Sequence, residues 1–153
     1  MAISRGIWRS CARNGITANN SKSFRELKAL IDSDILLDFL DGFAPAAEEL
    51  TRYRERCISI ISWMELMVGA RTAAEEKIRR AFLTHFQLLP LTSTVAEEAV
   101  ILRRKHRLKL PDAIIWATAI TENCLLISRN QKHFPANQPG VRFPYRRGKF
   151  AES

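Results

Sequence analysis

The sequence predicts an α/β fold in which a mostly parallel β-sheet is covered on both faces by helices. Short apolar runs of strand length, such as residues 29–31 and 124–128, recur along the chain. Segments with helical spacing of apolar residues separate these runs. Strands that alternate with helices in this way are typical of parallel sheets. Ligands of such folds bind at the carboxyl ends of the strands, so polar residues at those ends are the first candidates for function.

The elements of the first half can be assigned in order. Residues 29–31 predict a buried strand that ends in Asp-Ser-Asp and leads into a helix, and Gly42 is a natural stop for that helix. Pro45 begins a second helix that runs to about Arg54. Residues 57–60 predict the second buried strand, followed by Ser62 and the helix WMELMVGA. Both predicted strands therefore lead directly into a helix.

The second half continues the alternation. Helical spacing in residues 72–86 places Ile78, Phe82 and Phe86 on one face. The run QLLPL predicts a third strand, and CLLIS at residues 124–128 predicts a fourth. Two helices, Thr94 to Lys109 and Pro111 to Glu122, are predicted between them. Residues 141–145 predict an edge strand, because Pro144 has no amide hydrogen for a central one.

Length and composition indicate one ordinary globular domain. A chain of 153 residues, 46% hydrophobic and 26% charged, can bury a sizeable core. Its longest apolar stretch is far shorter than the roughly 20 residues that span a bilayer, and no signal peptide is recognisable at the start. The three cysteines form no CxxC pair, which argues against structural zinc and a disulfide framework. We therefore expect a cytoplasmic protein with reduced thiols.

Positive charge is concentrated at the two ends of the chain, whose formal net charge is +8. Residues 1–25 carry five basic side chains and no acid, and residues 129–153 carry six against one acid. An acidic centre between basic ends suggests a polyanion held beside a carboxylate site, although solubility charge explains it equally well. The predicted organisation is a basic, flexible extension at residues 1–27, a domain at 28–148 and a tail at 149–153.

Single carboxylates stand at the ends of predicted elements in three distant segments. These are Asp32 after the first strand, Glu65 in the helix after the second strand, and Asp112 at the start of a very apolar helix. Burying a carboxylate costs free energy unless a cation compensates its charge. If the fold gathers these acids in one pocket, a divalent metal ion is the natural compensation. The pattern therefore indicates a metal-dependent phosphodiesterase.

Two of these acids also have a local explanation. Ser62-x-x-Glu65 matches a capping box, in which Glu65 would be the third residue of a helix. Asp112 follows Pro111, and an acid in the first turn interacts favourably with the helix dipole.

The acids near the first strand differ in how easily they are explained. Asp34 can be a helix N-cap or part of the metal site. Asp38 and Asp41 follow at helical spacing and predict a solvated face. Asp32 has no such local explanation, because it ends a buried strand with no cap or basic partner in the sequence.

Four motifs in this order resemble the PIN domain. They are the apolar run before Asp32-Ser-Asp-Ile-Leu-Leu-Asp, then Ser-x-x-Glu-Leu-x-x-Gly, Leu-Pro-Asp-Ala-Ile-Ile, and Leu-Leu-Ile-Ser-Arg-Asn-x-x-x-Phe-Pro. More narrowly, the chain is similar to the VapC ribonuclease toxins of bacterial type II toxin–antitoxin systems, over about residues 28–146. The resemblance implies a three-layer α/β/α sandwich, usually a homodimer. It also implies RNA cleavage with Mg²⁺ or Mn²⁺ and inhibition by a VapB-like antitoxin.

The resemblance also implies roles for individual residues. Asp32 and Asp112 match metal-binding acids, and Glu65 would complete the metal shell or orient the attacking water. Asn130 and His133 stand where relatives carry a fourth acid, which weakens the expectation of a second metal ion. Side chains expected around the metal shell are Ser33, Asp34, Ser128 and Asn130. Candidates for RNA contact are Arg129, Arg146 and Arg147.

Two other functions are compatible with parts of the sequence. Asp32-Ser33-Asp34 after a strand also suggests a phosphatase of the haloacid dehalogenase type, but the downstream Lys and acidic pair of that class are not recognisable. A non-catalytic PIN-fold module that binds nucleic acid or a partner, with a degraded metal site, is the second alternative. The basic residues of segment 103–109 fit a solvated helix face, an RNA contact or a contact with an acidic antitoxin segment.

Overall fold

A five-stranded parallel sheet forms the centre of the structure. The computed structural model describes residues 27–135, 138 and 140–148. All strand pairs are parallel, and the strand order is β3-β2-β1-β4-β5. The strands are β1 (Lys28–Ile31), β2 (Glu55–Ser59), β3 (Gln87–Leu89), β4 (Leu125–Ile127) and β5 (Val141–Arg142). The predicted parallel α/β fold and the edge position of the last strand are confirmed.

Six helices connect these strands within the described part of the chain. They are α1 (Ser33–Leu40), α2 (Ala44–Thr51), α3 (Ile60–Val68), α4 (Ala73–Leu83), α5 (Ser93–His106) and α6 (Leu110–Thr121). Helix α1 ends as predicted, because Gly42 takes a positive φ of 80° that permits the chain to turn. Among the residues described, no helix has the length and apolar character needed to cross a membrane.

Helix α3 begins earlier than the sequence predicted. Strand β2 ends at Ser59, and the Ser59 side chain caps the helix by accepting a hydrogen bond from the Ile61 amide at 3.0 Å. Ser62 is therefore a buried residue inside the helix, and Glu65 is the sixth helical residue rather than the third. The capping-box explanation of Glu65 is wrong, because the actual cap lies three residues upstream.

The sheet separates two hydrophobic cores, as expected for three layers. Successive strand residues point to opposite faces, so Leu30 packs in one core while Ala29 and Ile31 pack in the other. Leu126 and Ile127 of β4 divide in the same way. One core is closed by α5 and α6, and the other by α1 to α4. The three-layer α/β/α sandwich is thereby confirmed.

Two buried carboxylates hold the C-terminal segment 141–148 against helices α1 and α2. Glu49 accepts hydrogen bonds from Arg142 at 2.8 and 3.3 Å. Asp38 is only 1% exposed. It accepts a hydrogen bond from the Tyr145 hydroxyl at 2.8 Å and forms an ion pair with Arg147. The prediction of a solvated Asp38 is wrong, because arginines from distant segments compensate its charge.

The proposed domain boundaries stay a prediction. The N-terminal extension, apart from Leu27, and the tail at residues 149–153 lie outside the described residues.

Candidate functional site

Strand order brings Asp32 and Ser128 together at the carboxyl edge of the sheet. They follow the neighbouring strands β1 and β4, and the Asp32 amide continues the ladder by donating to the Ile127 carbonyl at 2.9 Å. Asp32 is 5% exposed. Its Oδ1 accepts from the Ser33 amide and its Oδ2 from the Ser128 hydroxyl, both at 2.8 Å. Asp32 is therefore the N-cap of α1, so the expectation that no cap explains it is wrong.

Asp34 lies beside Asp32 with less compensation. Its Oδ2 is 3.3 Å from both the Ser128 hydroxyl and the Arg129 amide. The single hydroxyl hydrogen of Ser128 can serve only one of the two carboxylates at a time. Asp34 Oδ1 is buried and has no hydrogen-bond partner among the described residues. Burial and the Asp32 charge raise the pKa of Asp34 to about 8. The alternative of Asp34 as N-cap is wrong, because Asp32 occupies that position.

Glu65 and Asp112 reach the same region from two other helices. Glu65 Oε2 lies 3.5 Å from the Ser33 hydroxyl. Asp112 is in the first turn of α6, where a local interaction with the helix dipole also applies. Burial raises the pKa of Glu65, and the charges of Asp32 and Asp112 raise it further. Asp32, the N-cap of α1, thus lies within electrostatic reach of one acid each from α1, α3 and α6.

These four acids, Asp32, Asp34, Glu65 and Asp112, are called the acid cluster below. Burial is the largest cause that raises the pKa of Asp32 and of Asp112. Hydrogen bonds from Ser128 and Ser33 oppose the rise for Asp32. The acid cluster is consequently a group of carboxylates whose charges are incompletely compensated.

The oxygen atoms of the cluster suit a hard cation, but they are not arranged as a preformed set of metal ligands. Carboxylate oxygens and a buried oxygen without a hydrogen bond, Asp34 Oδ1, suit Mg²⁺ or Mn²⁺. Within the described residues, no three His, Cys, Asp or Glu side chains are arranged so that they could hold a metal ion. The residue types therefore fit a divalent ion, while the side chains do not yet converge on one point in the described residues.

Asn130 and His133 form the side of the site near Asp112. The Asn130 amide donates to Ser128 Oγ at 3.2 Å, which leaves that hydroxyl free to donate to Asp32. The Asn130 side-chain nitrogen lies 3.3 Å from His133 Nε2. His133 Nδ1 lies 3.5 Å from Asp112 Oδ2, and its side chain is 40% exposed. An imidazole thus takes the place beside Asp112 in this chain.

The three predicted RNA-contact arginines have different surroundings. Arg129 Nε donates to Asp38 Oδ2 at 2.7 Å, and Arg147 pairs with both Asp38 and Asp41. Arg146 is exposed and donates to Gln131 Oε1 at 3.2 Å. The buried Asp38 thus holds Arg129 and Arg147, while Arg146 faces solvent.

Sequence reasoning missed the role of Asp38. A signal was present in the sequence, because Asp38 follows Asp34 by four residues within the apolar helix ILLDFL. That spacing places it on the same helix side as an acid predicted to face the site. The sequence did not indicate which arginines would compensate it.

Comparisons with known proteins agree with this geometry. The sequence profile of the PIN domain matches residues 29–137. The chain belongs to the PIN domain family. This PIN domain is 34% identical over 114 residues to Ribonuclease VapC10 of Mycobacterium tuberculosis strain H37Rv, covering 69% of this chain and 85% of that protein. The predicted family resemblance is confirmed.

Solved structures contain the same PIN fold. A toxin-antitoxin complex from Klebsiella pneumoniae matches with 42% identity and a TM-score of 0.74, over 78% of this chain and 99% of that chain. FitAcB from Neisseria gonorrhoeae matches with 19% identity and a TM-score of 0.64, over 76% and 97% of the two chains. At that identity the second likeness concerns the fold alone.

Proposed function

We propose that this PIN domain is an endoribonuclease toxin of the VapC kind that cleaves RNA phosphodiester bonds with a divalent metal ion, Mg²⁺ or Mn²⁺. The acid cluster is the observation that carries the proposal. Burial raises the pKa values of Asp32, Glu65 and Asp112, and it raises that of Asp34 to about 8. A bound cation would stabilise the ionised form of these acids. Clusters of carboxylates with raised pKa values are typical of sites where a metal ion acts on a phosphate.

Three acids are the proposed metal ligands. Asp32 and Asp112 would hold the ion, and Glu65 would complete its shell or orient the attacking water. When bound, the ion would act as a Lewis acid toward a phosphate oxygen and acidify a water molecule. Two carboxylates about 4 Å apart repel by roughly 4 kcal/mol at an effective dielectric near 20, so the cluster alone is unfavourable at neutral pH.

Neighbouring polar groups would keep the ligands in position. Ser128 directs Asp32 through its 2.8 Å hydrogen bond, and Asn130 orients Ser128 through its amide. Ser33 does the same for Glu65 at a longer distance. Asp34, with its high pKa, can hold a proton at neutral pH and so reduce the repulsion within the cluster. Such partners of metal ligands typically change metal affinity or activity by about 10- to 100-fold.

The proposed partner is a VapB-like antitoxin, and the proposed assembly contains a homodimer of this chain in the cytoplasm. Support comes from a relative. The matching structure from Klebsiella pneumoniae is a toxin-antitoxin complex, and the match extends over 99% of that chain. Cys57 and Cys124 are free and buried, which is compatible with a reducing compartment.

A non-catalytic PIN-fold module is the second candidate, and two observations favour it. Asn130 and His133 replace the expected fourth acid, and the acids do not form a ready three-ligand group in the described residues. Such a protein would bind RNA or a partner without cleaving. Membership of the PIN family leaves the haloacid dehalogenase alternative without support.

RNA cleavage by purified protein tests the proposal. Wild type and Asp112→Asn are incubated with cellular RNA in Mg²⁺, Mn²⁺ or EDTA, and Mg²⁺ or Mn²⁺ binding is measured by calorimetry. We expect wild type to cleave RNA only when metal is present. The cleavage rate of Asp112→Asn should fall by more than the roughly hundredfold that is typical when a residue supporting a metal ligand is lost. Expression of both forms with and without a neighbouring antitoxin adds a growth readout. Intact RNA under every condition, with RNA binding retained, would instead establish the non-catalytic module.

A further inference from the structure

The last turn of α5 and the short loop that joins it to α6 present a cluster of basic side chains, and we propose that this segment binds the RNA backbone phosphates that flank the cleaved bond. The proposal rests on the function proposed above and names the surface that holds the substrate. This basic turn comprises residues 103–109, and its basic members are Arg103, Arg104, Lys105, Arg107 and Lys109.

All five basic side chains of this turn are available to a ligand. Each is exposed, and within the part of the chain that the structure describes none forms an ion pair. Arg129 and Arg147 provide the contrast, because Asp38 already compensates their charge. Positive charge without a local acid is the property that attracts a polyanion. The structure therefore shifts the main expected phosphate contact from the C-terminal arginines to the basic turn.

Apolar contacts hold the turn in one conformation. Leu102, just before it, and Leu108, within it, are buried. The His106 ring packs on Trp116, with centroids 4.9 Å apart, and Trp116 lies in the core. Arg107 adopts a left-handed conformation with φ of 55°, which ends α5 and redirects the chain. Buried side chains thus fix the backbone beneath the outward basic ones, so binding would cost little backbone ordering entropy.

The turn leads directly into the acid cluster. Lys109 is the N-cap residue of α6, and Asp112 lies in the first turn of the same helix. Lys109 precedes Asp112 by three residues, so the two side chains leave the helix within one turn of each other. An RNA strand whose phosphate lies at Asp112 has further phosphates on both sides. Lys109 lies one helical turn from Asp112 and is within reach of those neighbouring phosphates, whereas an acidic peptide does not need to enter the acid cluster, and this favours RNA as the occupant.

Two triple variants with equal loss of charge test the assignment. The first is Arg103→Gln/Arg104→Gln/Lys105→Gln in the basic turn. The matched control is Arg54→Gln/Arg71→Gln/Lys77→Gln, which removes three exposed charges elsewhere. Glutamine keeps good helix propensity, and thermal melts monitored by circular dichroism verify folding. Binding of a short fluorescent single-stranded RNA is measured by anisotropy in EDTA at several salt concentrations.

We expect the basic-turn variant to bind RNA at least about tenfold more weakly than the control variant. Its slope of log affinity against log salt should fall by about 0.7 for each phosphate contact removed. Equal weakening in both variants would reduce the effect to net charge and overturn the proposal. Unchanged RNA affinity would also overturn it, and if a VapB-like antitoxin then bound less tightly, the turn would be a protein contact.

The assay separates this proposal from the proposed function. Binding is measured in EDTA and needs no cleavage, so a negative result leaves metal-dependent cleavage untouched. Conversely, RNA binding through the basic turn by a protein that never cleaves RNA would overturn the ribonuclease assignment alone.

Discussion

Asp34 and Asp38 lie one turn apart on helix α1, and their surroundings are opposite. Asp38 is buried, forms ion pairs with Arg129 and Arg147, and accepts a hydrogen bond from the Tyr145 hydroxyl. Asp34 is partly buried, with Oδ1 inaccessible to solvent, and its Oδ2 accepts only from a hydroxyl and an amide, both at 3.3 Å. Burial and the Asp32 charge raise its pKa to about 8. Burial of an acid therefore does not indicate function, whereas a buried acid without a matching cation does.

Glu49 repeats the compensated arrangement on helix α2. It pairs with Arg142 and Arg52 and accepts a hydrogen bond from the Tyr53 hydroxyl at 2.6 Å. Burial and the Glu49 charge raise the pKa of Tyr53, so this hydroxyl remains protonated. Like Asp38, Glu49 connects helices to a C-terminal segment about a hundred residues away. Arginines compensate Asp38 and Glu49, whereas the acid cluster, the proposed metal site, has no such arginine pairs among the described residues.

The largest effect on stability is expected for Asp38→Ala. Removing one partner of a buried ion pair leaves an uncompensated charge, which typically costs about 3–5 kcal/mol. Chemical denaturation with urea measures the free energy of unfolding. The control is Asp41→Ala, since Asp41 is 62% exposed and its loss should change stability by less than about 0.5 kcal/mol. Similar values for the two variants would contradict the structural role of Asp38.

Asp32→Asn is expected to abolish RNA cleavage while the protein stays folded. Asparagine keeps one oxygen for the Ser33 amide and so preserves the helix cap. It removes the charge that a metal ligand needs. Loss of a group that only supports a ligand costs up to about a hundredfold, so loss of the ligand itself should reduce cleavage by more than that. Activity on RNA and the thermal midpoint are measured together. Loss of folding in parallel with activity would make Asp32 a structural acid like Asp38.

Divalent ions are expected to stabilise the protein more as pH rises. All four acids of the cluster have raised pKa values, so their contribution to stability is complete at low pH and is lost as pH rises through those values. For Asp34 this window runs from 3.8 to about 8. Thermal melts in EDTA should therefore show declining stability across that window. Mg²⁺ or Mn²⁺ should restore the thermal midpoint at pH 8 and have little effect near pH 4.

A smaller, pH-dependent gain in stability is expected for Asp34→Asn. The substitution removes a charge that the fold disfavours, so the thermal midpoint in EDTA should rise at pH 9, above the Asp34 pKa of about 8. At pH 4 the native Asp34 is already protonated, and the difference should nearly vanish. A decrease in the midpoint at pH 9 would mean that the ionised Asp34 is compensated by a group in the full protein.

The helix boundaries illustrate what local patterns can and cannot predict. Gly42 and Pro45 marked the end of α1 and the start of α2 correctly, because their backbone preferences act within one turn. Serines are more ambiguous, since Ser59 and Ser62 are equally good caps by residue type. Only the length of β2 selected Ser59, and that length depends on pairing with β1 and β3. The same choice decided that Glu65 is not a capping residue.

Convergence of the acids was largely predictable from the sequence. Parallel strands place their carboxyl ends at one edge, so Asp32 and Ser128 were expected to be neighbours once the strands were recognised. Glu65 and Asp112 were assigned on their helices by the same reasoning and by family resemblance. The sequence also indicated the chemistry, because carboxylates beside apolar runs require a cation or a proton.

Tertiary structure alone decided which acids found partners. Asp38 meets Arg129 and Arg147 across separations of 91 and 109 residues, and no local period describes such a pairing. The sequence by itself determined the order of strands and helices and the presence of acids at their ends, because these depend on near neighbours. Compensation of a buried charge depends on which distant cations the fold brings within a few ångströms. That packing made Asp38 structural, left the acid cluster open to a cation, and left the basic turn unpaired.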